Sequence, residues 1–82
     1  MWHVYILECR DKTLYTGTTT DLKRRLKEHN SRKKCRYTSA RIPVKLVYKE
    51  IYPTRSKAQK REAQIKSWPR AKKLVLINSG AI

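Results

Sequence analysis

Tyr5, Tyr15, Gly17, Arg25 and His29 fall in the first third of the chain and combine proton-transfer groups with a cation suited to a phosphodiester. A phenol or an imidazole can take or relay a proton. A guanidinium can hold a phosphate and offset charge developing on it. Glycine in a strand lets another group approach the backbone closely. Glu62, the only acid after Glu50, adds a carboxylate. A hard divalent cation often uses one protein carboxylate, with waters and substrate phosphate completing its shell. Taken alone, each residue has an ordinary explanation. A strand tyrosine packs its ring, a helix arginine is solvated, and a histidine near a helix end favours the dipole. Glu62 can pair with Lys66 one turn on. Convergence in one place is what would turn them into a site.

Charge points the same way. The 82 residues carry 21 Lys and Arg against six acids, a net charge of +15 spread over the whole length. Such an excess costs stability by self-repulsion and suits an anionic partner, nucleic acid first. A membrane surface fits less well, because no segment sets a clean apolar face with bulky anchors against a basic one. No run is long enough to cross a bilayer, and no basic leader precedes an apolar stretch, so the expectation is a soluble, cytoplasmic protein. The length predicts one domain over residues 1–82 with a modest core, burying about 60% of the unfolded surface. Cys9 and Cys35 lack zinc-site spacing and read as free thiols in a reducing compartment, Cys9 packed in a strand.

The elements that must position these residues follow from the pattern. Trp2 to Cys9 reads as a strand, Arg10-Asp11-Lys12 as a three-residue loop, and Thr13 to Thr18 as the returning strand. That loop sets Cys9 opposite Thr13, Tyr5 opposite Gly17 and Tyr15 opposite Leu7, so both tyrosines share a face; a one-residue slip would separate them. Thr20 or Asp21 can cap a helix running to about Asn30, with Glu28 near its end. Leu22, Arg25, Leu26 and His29 then lie on one side. Ser31 to Arg41 is basic and irregular, with Tyr37 in its middle. Val44 to Tyr52 reads as a third strand ended by Pro53. Ser56 with Gln59 forms a capping-box pattern for a helix reaching Ser67 or Trp68. Pro69 opens a last helix over Arg70 to Ile77, leaving residues 78–82 as a frayed tail. The expected fold is a small α/β domain of order ββαβαα, a three-stranded antiparallel sheet with helices packed against it.

The segments VYIL and LYTG, followed by TTDLKRRLKEH, resemble the GIY-YIG nuclease superfamily, specifically its small stand-alone bacterial members of UPF0213 type. The first signature corresponds to His3-Val4-Tyr5 and the second to Tyr15-Thr16-Gly17. The family's arginine falls on Arg25 within Asp21-Leu22-Lys23-Arg24-Arg25-Leu26, its histidine on His29, and its glutamate on Glu62 in KREAQIKSW. The likeness runs from residue 2 to about 77 and includes Arg36-Tyr37-Thr38 and WPRAKKLVLI. His3, Val4 and Thr16 depart from the signature letters, at positions between the chemical groups.

The resemblance implies a divalent-metal-dependent endonuclease hydrolysing DNA phosphodiester bonds. In that scheme Tyr5 is the base that deprotonates water, although a free phenol, with a pKa near ~10, needs help from neighbouring cations. Arg25 holds the scissile phosphate, Tyr15 positions water or phosphate, His29 assists proton transfer, and Gly17 gives room. Glu62 holds one Mg2+ or Mn2+. Lys33, Lys34, Arg36, Tyr37, Arg41, Lys60, Lys66 and Arg70 are the expected nucleic-acid-binding residues, giving affinity with little sequence reading. Tyr37 and Trp68 could stack on an exposed base, with core packing the better reading for Trp68. No reader domain is recognised, so a separate protein would supply targeting. The alternatives are a non-catalytic nucleic-acid-binding module on the same scaffold and a basic protein docking on ribosomal RNA.

Overall fold

The computed structural model describes residues 1–30 and 43–79. Their elements are β1 (Trp2–Glu8), β2 (Leu14–Thr19), α1 (Leu22–His29), β3 (Lys45–Tyr52), α2 (Arg55–Lys66) and α3 (Arg70–Ser79). The order ββαβαα is the one the sequence pattern predicts. The sheet is antiparallel, with β1 central in the order β2-β1-β3.

The hairpin turns as its loop length demands. The Cys9 amide donates to the Thr13 carbonyl at 2.9 Å, and the Lys12 amide to the Cys9 carbonyl at 2.9 Å. Lys12 takes the left-handed conformation, φ 72°, that a three-residue loop of this class uses to rejoin the strands. Asp11 Oδ1 accepts from the Thr13 amide and hydroxyl, fixing the turn. Tyr5 is therefore paired with Gly17 and Leu7 with Tyr15. On the other side β1 pairs with β3, and the register shifts between Ile6, opposite Tyr48, and Leu7, opposite Leu46. Val47 is the extra residue of that bulge.

Strand alternation divides the core between two faces. Val4 and Ile6 pack with Tyr48 and with Ala58 and Ile65 of α2, flanked by Trp68, Leu76 and Ile77. Tyr5, Leu7 and Cys9 pack on the opposite face with Val44, Leu46, Tyr15, and Leu22 and Leu26 of α1. One helix thus covers the face carrying the tyrosines, and the C-terminal pair covers the other.

On the α2 face Glu50 accepts from the hydroxyls of Tyr48 and Tyr52 (2.6 Å for the latter) and from Arg61 Nε at 3.0 Å, joining β3 to α2. Burial alone would push Glu50 up, but these hydrogen bonds, that of Arg61 foremost, hold its carboxyl below the usual range. Burial and the bond to Glu50 in turn push the Tyr48 phenol up to about 12.

Two boundaries differ from the sequence expectation. Thr54, not Ser56, caps α2: its extended backbone after Pro53 lets the hydroxyl accept from the Lys57 amide, which puts Ser56 inside the first turn. The last helix runs to Ser79, beyond the expected Ile77, with the Pro69 carbonyl accepting from the amides of Lys72 and Lys73. Cys9 is a buried free thiol. Cys35 lies outside the described residues. Among the described residues no helix is long and apolar enough to cross a membrane.

Candidate active site

Both ends of α1 are tied to the sheet, and this is what places its side chains. At the start, Thr19 Oγ1 accepts from the Asp21 amide at 3.1 Å, and Asp21 Oδ1 caps the helix by accepting from Arg24 N at 3.0 Å. At the far end, Asn30 Oδ1 accepts from the Val44 amide at 2.8 Å, and Asn30 Nδ2 donates to the Val44 carbonyl at 3.3 Å. The helix is thereby strapped to the start of β3, with His29 inside, 0% exposed. Sequence reasoning saw Asn30 only as the helix's last residue. Nothing local indicates that its amide would satisfy a distant strand.

Tyr5, Gly17, Arg25, His29 and Tyr15 converge. Tyr5 Oη lies 3.0 Å from His29 Nε2, and Arg25 Nε donates to the same oxygen at 3.3 Å. A guanidinium only donates, so the oxygen accepts there, and we assign its own proton to Nε2. That assignment puts the imidazole proton on Nδ1. A neutral ring agrees with it: burial, reinforced by the Arg25 charge and opposed by Glu28, pushes the His29 pKa down to about 4. Arg25 is held charged, chiefly by its bond to Tyr5 and further by Glu28, against partial burial.

Gly17 is where the cluster needs a missing side chain. A Cβ there would stand 2.6 Å from Tyr5 Oη and 2.8 Å from its Cζ, so the phenol lies on the glycine itself. Tyr15 closes the group, its ring edge-on to His29 with centroids 4.7 Å apart and 6.4 Å from that of Tyr5. Tyr5 is only 1% exposed, whereas the Arg25 side chain is 32% exposed. Arg25 is thus the member of the pair open to solvent.

The cluster does not include Glu62 in hydrogen-bond contact. That residue sits on α2, which packs on the opposite sheet face through Ala58 and Ile65, and its carboxylate pairs with Lys66 at 3.2 Å. Among the described residues no group of three or more His, Cys, Asp or Glu gathers to cage a cation. A cation held by one carboxylate is the mode this donor set fits. Lys60, Lys66 and Arg70 are exposed, on α2 and α3, and Arg70 donates to the Lys12 carbonyl of the hairpin loop. Trp68, partly buried, packs against the core, with Arg61 and Lys72 over its ring at 5.0 and 4.4 Å from the centroid. Lys33, Lys34, Arg36, Tyr37 and Arg41 lie outside the described residues.

A family model described as the GIY-YIG catalytic domain matches residues 1–74. The chain belongs to this family. Among similar proteins, a UPF0213 protein of Syntrophus aciditrophicus is 58% identical over 76 residues, 92% of this chain and 87% of the relative. One of Haloquadratum walsbyi is 51% identical over 78 residues, covering 95% and 88% respectively. The solution NMR structure of the UPF0213 protein BH0048 from Bacillus halodurans, 41% identical, superposes with a TM-score of 0.65 over 99% of this chain and 87% of that one.

Two GIY-YIG site neighbours escaped the sequence reading. Glu28 bonds Arg25 Nη1 at 3.0 Å, a contact that its spacing three residues on would have signalled. Lys49, exposed, is paired with Tyr5 across the β1–β3 ladder. Its place depends on the bulge at Val47, which no sequence pattern revealed.

Proposed function

We propose that this GIY-YIG chain is a divalent-metal-dependent endonuclease that hydrolyses DNA phosphodiester bonds. The observation that carries the reading is the chain Arg25–Tyr5–His29: a phenol hydrogen-bonded to a neutral imidazole on one side and to a guanidinium on the other. That pairing suits a phenol that must give up and regain a proton. His29 Nε2 receives the phenolic hydrogen bond in the direction in which the proton would leave, and the Arg25 charge stabilises the negative oxygen left behind. Tyr5 then accepts a proton from the attacking water. Arg25, open to solvent, binds the scissile phosphate and stabilises the charge that grows on it. Tyr15 walls the site and orients the attacking group. Glu62 is the residue that would hold the cation, exchanging Lys66 for it. A bound Mg2+ or Mn2+ would supply charge stabilisation at the leaving oxygen. Surplus Lys and Arg bind the DNA backbone with little sequence preference.

The test is cleavage of labelled single-stranded, duplex, flap and four-way-junction DNAs with Mg2+ or Mn2+, wild type beside Tyr5→Phe and Glu62→Gln. Each variant is checked for unchanged fold and DNA binding. Expected is metal-dependent cutting that both substitutions abolish. Salt-sensitive binding without cutting by wild type, or cutting that neither substitution slows, refutes the mechanism and makes the protein a binding module.

A further inference from the structure

The Arg25 guanidinium already holds an anion. Its Nε is committed to Tyr5, and its Nη1 donates to Glu28 Oε1 at 3.0 Å. Tyr5 and His29 are sealed at 1% and 0% exposure, while the Arg25 and Glu28 side chains are 32% and 28% exposed. Anything arriving from solvent therefore meets the Arg25–Glu28 pair before it meets the phenol. The helix dipole gives no reason for the acid, although its i,i+3 pairing with Arg25 does add to the helix. Glu28 sits in the last turn of α1, where a negative charge opposes the helix dipole, and the first turn, where it would help, has none.

We propose that Glu28 is a placeholder for the substrate phosphate: its carboxylate fills the phosphate position on Arg25 and is displaced when nucleic acid binds. The inference rests on Arg25 being the phosphate-binding residue. Carboxylate and phosphate compete for the same guanidinium fork, and the Nη1 hydrogen bond given to Glu28 is one that a phosphate oxygen would take in its place. In the free protein Glu28 keeps Arg25 extended over Tyr5, its charge partly neutralised and its fork aimed. A phosphodiester oxygen then takes the place of Oε1, and Glu28 swings into solvent. Glu28 thus makes Arg25 ready but lowers its affinity for every phosphate, which favours substrates that offer further backbone contacts.

The direction of the effect separates this role from a structural one. Affinity for a labelled DNA duplex with a single-stranded tail is measured by anisotropy in EDTA, so that turnover plays no part. The variants are Glu28→Gln, Glu28→Ala, and Glu8→Gln as the control for losing one negative charge elsewhere. Each is also placed in an Arg25→Ala background. Both Glu28 variants should bind roughly two- to five-fold tighter than Glu8→Gln does, the range expected for releasing a partly exposed ion pair. In the Arg25→Ala background Glu28→Gln and Glu8→Gln should become equivalent. Equal effects of Glu28→Gln and Glu8→Gln with Arg25 present, or weaker binding by both Glu28 variants, overturn the placeholder while leaving Arg25 as the phosphate residue. Wild-type binding that Arg25→Ala does not weaken overturns the assignment of Arg25, and the placeholder with it.

Discussion

Acid should destabilise this fold through one buried imidazole before its carboxylates are protonated. In the folded chain the His29 pKa lies at about 4 against an ordinary 6.5. Between those values the unfolded chain binds a proton that the folded chain refuses, so stability rises with pH across that window and is lost as pH falls through it. At ~1.4 kcal/mol per pH unit the full loss is roughly 3 kcal/mol, a large share of the ~5–15 kcal/mol typical of a domain. Glu50, held below the ordinary carboxylate range, acts in the same sense but further into acid. The assay is urea unfolding at intervals from pH 7 to 4, wild type beside His29→Gln, whose amide oxygen can still accept from Tyr5. Wild type should lose roughly 3 kcal/mol more than the variant over that interval. An NMR titration of the imidazole should show no inflection near pH 6.5. Parallel stability curves, or a His29 midpoint near its ordinary value, would refute the neutral, buried ring and with it the proton path from Tyr5.

Two further substitutions test the geometry beneath the site. Gly17→Ala drives a methyl to 2.6 Å from Tyr5 Oη, and Tyr5, 1% exposed, has nowhere to retreat; thermal melts should show a loss of about 1–3 kcal/mol. The Tyr5–His29 bond should open as well, seen as a changed imidazole Nε2 shift, and a neutral result would mean that the phenol does not lie on the glycine. Lys12→Gly should stabilise, because Lys12 holds φ 72° at an exposed loop position with only a 3.9 Å ion pair to lose. A gain of about 0.5–1 kcal/mol, a few degrees in Tm, is expected, and a loss would contradict the left-handed turn.

How far the sequence could be read depended on how local each determinant was. The hairpin register was legible because a three-residue loop leaves one pairing that keeps both tyrosines on one face, and the structure has that pairing. The α1 stripe was legible for the same reason, since stripe and cap are both set within a single turn; the cap was narrowed to Thr20 or Asp21, of which the structure uses Asp21. The cap of α2 was misread because Ser56 with Gln59 imitates a capping box, while Thr54, extended and directly after Pro53, supplies the cap. Three things needed the tertiary fold. Asn30 binds Val44 across fourteen residues of chain. The bulge at Val47 decides that Lys49 stands opposite Tyr5. Glu50 gathers two tyrosines and an arginine from β3 and α2. Glu62 was placed on the packed side of its helix by periodicity, but periodicity does not say which sheet face that helix covers.

The acids show what the charge imbalance means. All six have local employment: Asp11 fixes the hairpin turn, Asp21 caps α1, Glu28 holds Arg25, and Glu50 joins β3 to α2. Glu8 pairs with Lys12 and Lys45, and Glu62 with Lys66. None is left to neutralise the surplus of +15. The remaining cations repel one another in the free protein, and a polyanion relieves that repulsion when it binds. The fold is therefore linked to its partner: whatever binds the folded chain and not the unfolded one raises its stability by mass action. The two faces share this work unequally. The face under α1 carries the closed cluster of Tyr5, His29 and Arg25, where a single methyl at Gly17 matters. The face under α2 and α3 carries the Glu50 network and exposed lysines, which set rigidity and charge. Loss of a lysine or arginine on that second face should weaken nucleic-acid binding in proportion to the charges removed, whereas loss of Tyr5 or Arg25 on the first should stop the proposed chemistry with binding largely kept.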